Sequence, residues 1–211
     1  MTSQCHNPAA GNGEVGDAVV GVLNRDIPQQ ILDATRASVL AVGVRRTTLT
    51  DVARRAGVSR MTLYRLVPDV TTLILEVMSR EFAALFATAE ADARRRRTAR
   101  TRIAGTTVSV VRRLHDAPLF HRVLDVDPEL LLPYLTDRLG TTQRIAVAHI
   151  RRMLADGQAD GSVRRGDVDT MALALVLMVT PFVVPARMLD EVGAEPLLAE
   201  LERVVDAALR P

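Results

Sequence analysis

The chain has 211 residues, of which 48% are hydrophobic, enough apolar material for one substantial core and too much for an intrinsically disordered chain. Only 3% are aromatic, and Gly and Pro do not cluster as they do around the turns of a sandwich or barrel, so an all-β architecture is excluded and apolar residues at helical spacing predict an all-α fold. The formal net charge of +2 does not by itself call for nucleic acid, yet Arg25 to Pro68 carries eight arginines against three aspartates, a concentration of positive charge suited to phosphate.

Residues 1–24 mix Gly, Asn, Ser and Pro without a period and carry Glu14 and Asp17, which predicts a disordered, acidic arm that DNA binding does not need. Cys5 is the sole cysteine, so no intrachain disulfide forms, and beside His6 in an irregular tail it makes a poor metal site. No metal and no cofactor is expected. The segment lacks the layout of a signal peptide, and the expected location is the cytoplasm.

Residues 25–68 read as a three-helix head. Asp26 is expected to cap the first helix with Pro28 in its first turn, and Ile27, Ile31, Leu32, Thr35 and Val39 recur at spacings of three and four as far as Gly43. Thr48-Leu49-Thr50-Asp51 is a capping-box pattern that opens a short helix with Leu49, Val52, Ala53 and Ala56 on its apolar side. Gly57 suits a left-handed turn, Val58 plugs the corner, and Ser59 caps a third helix with Leu63 and Leu66 inward. Two short helices joined by a glycine turn make a helix-turn-helix.

Ile31-Leu32-Asp33-Ala34, Gly43, Thr48 to Ala53, Ala56-Gly57-Val58-Ser59 and above all Thr62-Leu63-Tyr64-Arg65 before a Pro-containing turn resemble the tetracycline-repressor (TetR) family of bacterial regulators. The resemblance implies that the helix from Ser59 to Leu66 enters the major groove of double-stranded DNA. Arg60 then faces a guanine, Met61 and Thr62 meet thymine methyl groups, and Thr48 and Tyr64 hold phosphates, with Ser59 and Arg65 at the same surface. Family members commonly carry Phe where this chain has Val67 and Lys where it has Val70. Loss of that Lys shifts phosphate binding onto Arg45, Arg46 and Tyr64. The competing reading of Tyr64 is a half-buried ring that packs the head, and for Arg54 and Arg55 a solvated helix face is preferred.

Residues 69–211 read as a larger helical body. Asp69 caps a long helix with Val70, Leu73, Ile74, Val77 and Leu85 on one stripe and Leu75, Met78, Phe82 and Phe86 on another, a pattern that predicts contact with two layers. The run Arg94 to Arg97 at its end complements the helix dipole. Further helices are expected over Thr98–Asp116, Pro118–Val126, Pro128–Leu139, Thr141–Asp156, Asp167–Leu189 and Ala194–Leu209, with a loop from Asp156 to Gly166. Met171 to Leu189 is apolar enough to imitate a membrane span, but Pro181, Pro185 and close charged flanks argue for a helix buried between subunits. The family resemblance implies that the last two helices form a homodimer, which demands a palindromic operator.

The resemblance also implies a small-molecule site among the middle helices; the candidate walls are Phe82, Phe86, Val110, Leu114, Phe120 and Leu124 with His115 and His121 as polar contacts, and their mostly aliphatic character favours an apolar, acyl-like ligand. Ordinary core packing is the competing reading for each of these residues. A metal-dependent enzyme built on His115, Asp116, His121, Asp125 and Asp127 is disfavoured, because Pro118 separates two histidines that no single helix face presents together. A helical interaction protein with a purely structural head is the other alternative, and steep salt dependence of DNA binding separates it from a regulator.

Overall fold

The computed structural model describes residues 26–126, 140–183 and 193–211, and all regular structure among them is helical. In chain order the helices are α1 (Gln29–Val42), α2 (Leu49–Ala56), α3 (Arg60–Leu66), α4 (Val70–Ala93), α5 (Ala99–His115), α6 (Pro118–Val126), α7 (Thr141–Ala159), α8 (Val168–Val183) and α9 (Ala194–Ala208). The expected arm and the expected helix at 128–139 lie outside the described residues.

Local capping sets most of the boundaries in the head. Thr48 accepts the Asp51 amide at 3.2 Å, Ser59 accepts the Thr62 amide at 3.0 Å, and Asp69 accepts the Thr72 amide at 2.7 Å. Asp26 is not a cap. The residue before α1 is Pro28, whose carbonyl accepts the Ile31 amide at 2.9 Å, and no side chain caps that helix. Proline has no amide hydrogen of its own to satisfy there, and its fixed φ starts the helix without a side-chain acceptor.

α1 and α2 pack together, as do α2 and α3, around Ile31, Leu32, Val39, Val52, Ala53 and Leu63. Three short helices do not close this core alone. Leu73, Ile74 and Val77 from the first half of α4 complete it together with Leu119 and Val123 from α6. The second half of α4 leaves the head, and there Phe82, Phe86 and Ala89 join the body core. α4 touches two layers along its two stripes: Val70, Leu73, Ile74 and Val77 meet the head core, while Leu75, Met78, Phe82 and Phe86 line the cavity of the body. Leu85, expected on the first stripe, packs on the body core, and Met78 also touches the head core.

In the body α5 is central, with α4, α7 and α9 packed around it and α8 lying on α7 and α5. α7 runs past Asp156 to Ala159, so Gly157 is helical and buried rather than the start of a loop. A β-carbon on Gly157 would fall 2.3 Å from Val163 Cγ2 and 3.2 Å from Ala99 Cβ, so close approach of chain segments favours glycine here. The loop that follows caps other elements. Asp160 accepts the Ala99 amide at 3.1 Å and Ser162 the Arg100 amide at 3.2 Å, at the start of α5, while the Arg164 amide donates to the Leu209 carbonyl at 2.9 Å. Hydrogen bonds from Ser162 hold the Asp160 carboxyl below the usual carboxylate range.

α8 contains Pro181, which removes the amide that would otherwise bond the Leu177 carbonyl. Its described part ends at Val183, and the rest of the segment expected to reach Leu189 lies outside the described residues. No described helix is long and apolar enough to cross a membrane.

Candidate nucleic-acid interface and apolar cavity

Gly57 makes the geometry of the head possible. Its φ of +67° puts the chain in the left-handed region, and the Val58 amide then donates to the Ala53 carbonyl at 3.0 Å, closing the turn between α2 and α3. Val58 packs on the head core at this corner, and Ala53 is buried beneath it.

With Leu63 fully buried, helical spacing leaves the other side of α3 in solvent. Arg60, Met61, Tyr64 and Arg65 are exposed, Met61 at 78% and Tyr64 at 55%, while Thr62 is half-buried. The exposure of Tyr64 argues against a ring committed to packing the head. Ser59 is exposed at the start of this face, where its Oγ caps the helix and also lies 2.8 Å from Thr62 Oγ1. Arg45 and Arg46 are exposed in the turn that leads into α2, as is Thr48 at its first cap.

The Thr48 hydroxyl donates to Asp51 Oδ2 at 2.6 Å, and this bond holds the Asp51 carboxyl below its ordinary value, with Arg54 adding to the effect. Arg54 reaches Asp51 at 3.6 Å along the same helix, and both Arg54 and Arg55 are exposed, as a solvated face requires. The head thus gathers Arg45, Arg46, Arg60 and Arg65, with a methionine and a tyrosine, on exposed backbone positions fixed by two caps and one glycine.

Ties to the body run through α4 and α6. Arg36 on α1 donates to Glu81 on α4 at 2.5 Å. Glu76, a carboxylate only 3% exposed, accepts Arg80 Nε at 2.7 Å one turn away. The Glu76–Arg80 pair lies within α4 at the i,i+4 spacing that favours a helical ion pair, whereas no sequence pattern announces Arg36–Glu81.

The described residues of the body form a half-open cavity of about 150 Å³ between α4, α5, α6, α7 and α8. Of the expected wall residues, Phe82, Phe86, Val110, Leu114 and Phe120 line it, and the Leu124 side chain lies outside the described residues. Ser79, Gln143, Ala146, Val176 and Thr180 also line it and were not foreseen, because their side chains meet only once α4, α7 and α8 are packed. The two histidines are not wall residues. His115 Nε2 is 2.8 Å from the Phe182 carbonyl on α8, and His121 Nε2 bonds the His115 carbonyl, so each ring is occupied with main chain. Among the described residues no three His, Cys, Asp or Glu side chains converge as metal ligands.

Residues 31–68 match the model of the bacterial regulatory proteins of the tetR family. An uncharacterized HTH-type transcriptional regulator of Mycobacterium bovis is 32% identical over 185 residues, covering 87% of this chain and 95% of that one. Among solved structures, the R. erythropolis transcriptional repressor QsdR of the TetR family superposes with a TM-score of 0.64 at 16% identity, covering 86% of this chain and 93% of its own. The regulator FadR from Bacillus subtilis in complex with stearoyl-CoA superposes with a TM-score of 0.56 at 16% identity, covering 86% and 99%.

Proposed function

The chain belongs to the TetR family of helix-turn-helix transcriptional regulators, and from that premise we propose that it is a ligand-responsive repressor that binds a palindromic operator as a homodimer. The observation that carries this reading is the outward side of α3, where Arg60, Met61 and Tyr64 stand in solvent from a helix anchored by buried Leu63.

In this reading residues 25–68 form the DNA-binding unit and residues 69–211 the regulatory and dimerising unit. Arg60 donates two hydrogen bonds to guanine O6 and N7, and Met61 and Thr62 contact thymine methyl groups. Arg45, Arg46, Thr48, Ser59, Tyr64 and Arg65 hold the backbone and set affinity rather than sequence preference. The Thr48 hydroxyl exchanges Asp51 for a phosphate oxygen when DNA arrives.

Dimerisation is supported by apolar side chains that the single chain leaves in water, Leu173 and Leu177 on α8 and Val204 on α9, with Leu177 56% exposed. The ligand response is supported by the cavity, since FadR of similar fold is described in complex with stearoyl-CoA. α6 offers a route between the two sites, because Phe120 lines the cavity while Leu119 and Val123 sit in the head core. The protein acts in the cytoplasm, without cofactor and without catalysis.

Selection of bound duplexes from a random DNA library at near-physiological salt tests the reading. Enrichment of a palindrome is the expected result. Salt-sensitive binding without enrichment would mean that the head grips phosphate but does not read bases.

A further inference from the structure

Resting on the ligand-responsive reading, we propose that the cavity takes a small, uncharged molecule of about the size of one six-membered ring, whose hydroxyl, where it has one, is accepted by the side-chain oxygen of Ser79, Thr107 or Thr180. Size is the first constraint. The space is about 150 Å³, and an apolar cavity of roughly that volume in another helical protein stays dry and takes up benzene. A long acyl chain exceeds that space, so the proposal departs from the acyl-like expectation.

Charge is the second constraint. Among the described residues no ionisable side chain lines the cavity. Moving a carboxylate or phosphate from water into such surroundings without a counter-charge is strongly unfavourable, which selects neutral ligands.

The wall hydroxyls supply the third. Ser79 donates its proton to the Leu75 carbonyl at 2.7 Å, Thr107 to Ile103 at 2.9 Å and Thr180 to Val176 at 2.7 Å. These three protons are spent within their own helices, on three different elements that meet at the cavity. What each oxygen still presents is a lone pair, so each accepts and does not donate. A ligand hydroxyl finds an acceptor at any of these three, while the donors of the wall lie at the start of α7, in Thr141, Thr142 and the Gln143 amide.

The test uses the full-length protein without DNA and four probes, toluene, phenol, benzoate and stearoyl-CoA, with thermal unfolding and titration calorimetry as readouts. Toluene and phenol are expected to raise Tm saturably, and benzoate and stearoyl-CoA to leave it unchanged. At least one of Ser79→Ala, Thr107→Val and Thr180→Val is expected to weaken phenol about tenfold, the equivalent of about 1.4 kcal/mol for one lost hydrogen bond, and to leave toluene as it was. Absence of binding by both neutral probes overturns the proposal, as does binding of benzoate or stearoyl-CoA in preference to them. Phenol affinity unchanged in all three variants overturns the hydroxyl assignment. Release of operator by stearoyl-CoA would sink this inference and leave the regulator standing, whereas failure to select a palindrome would sink the regulator and leave the binding result intact.

Discussion

The outward side of α3 and the wall of the body cavity use the same helical geometry for opposite ends. On α3 one buried residue, Leu63, anchors a seven-residue helix while four neighbours point into solvent, so what the site presents is decided by residues adjacent in the chain. The cavity wall is the reverse, because Ser79, Thr107, Phe120, Gln143 and Thr180 come from five helices and face inward. A surface that reads a partner can be written locally, whereas a space that holds a molecule is a property of how several helices fail to fill the volume between them.

Substitutions sharpen that contrast, beginning with the largest effect. Leu63→Ala removes a fully buried side chain from the head core and is expected to cost about 2–5 kcal/mol of stability in denaturant unfolding, with DNA binding lost as a consequence. Arg60→Ala lies one turn away on the exposed side. It is expected to leave unfolding unchanged, to weaken the preferred operator by about 1–3 kcal/mol and to relax preference at one base position in each half-site. If instead the two variants lost DNA binding and stability in parallel, the separation of anchor from reader would be wrong.

Gly57→Ala tests the turn that aims α3. No neighbouring atom lies within 4 Å of an added β-carbon, so the cost is backbone strain alone at φ +67°, about 1–2 kcal/mol by denaturation.

The smallest effect belongs to the body and to pH. His149 stacks on Phe86 with ring centroids 4.6 Å apart, and burial, reinforced by Arg152, holds its imidazole below the ordinary value against an opposing pull from Glu90. The folded chain therefore binds this proton at lower pH than the unfolded chain does. Its contribution to stability is full above the ordinary imidazole value and declines as pH falls through it. His149→Gln is expected to flatten that part of the stability–pH curve, measured by thermal unfolding between neutral and mildly acidic pH. An unchanged slope would remove His149 from the account.

The head was legible because its determinants are local. The caps at Thr48, Ser59 and Asp69, the turn at Gly57 and the inward Leu63 all follow from spacing over a few residues. The one miss there, Asp26, shows that a good capping residue yields when a proline next to the helix starts it instead. In the body, helix existence was legible and partnership was not. Gly157 reads as a breaker until Val163 and Ala99 are seen crowding its α-carbon, and Asp160 and Ser162 read as loop residues until they are found capping α5 across more than sixty positions of sequence. His115 and His121 were drawn toward the cavity by their position near its walls, but each found a main-chain carbonyl that no sequence pattern announces. Five of the wall residues were foreseen because large apolar side chains on helical stripes point inward in any packing. The hydroxyls were not, because their importance arises only from the helices they face.

The most direct test of the central claim is the ratio of affinities for the selected operator and for a scrambled duplex of equal length, both measured at near-physiological salt. A base-reading head predicts a ratio of about 10³ or more. A ratio near one would contradict it, leaving α3 as a basic surface that binds DNA without reading it.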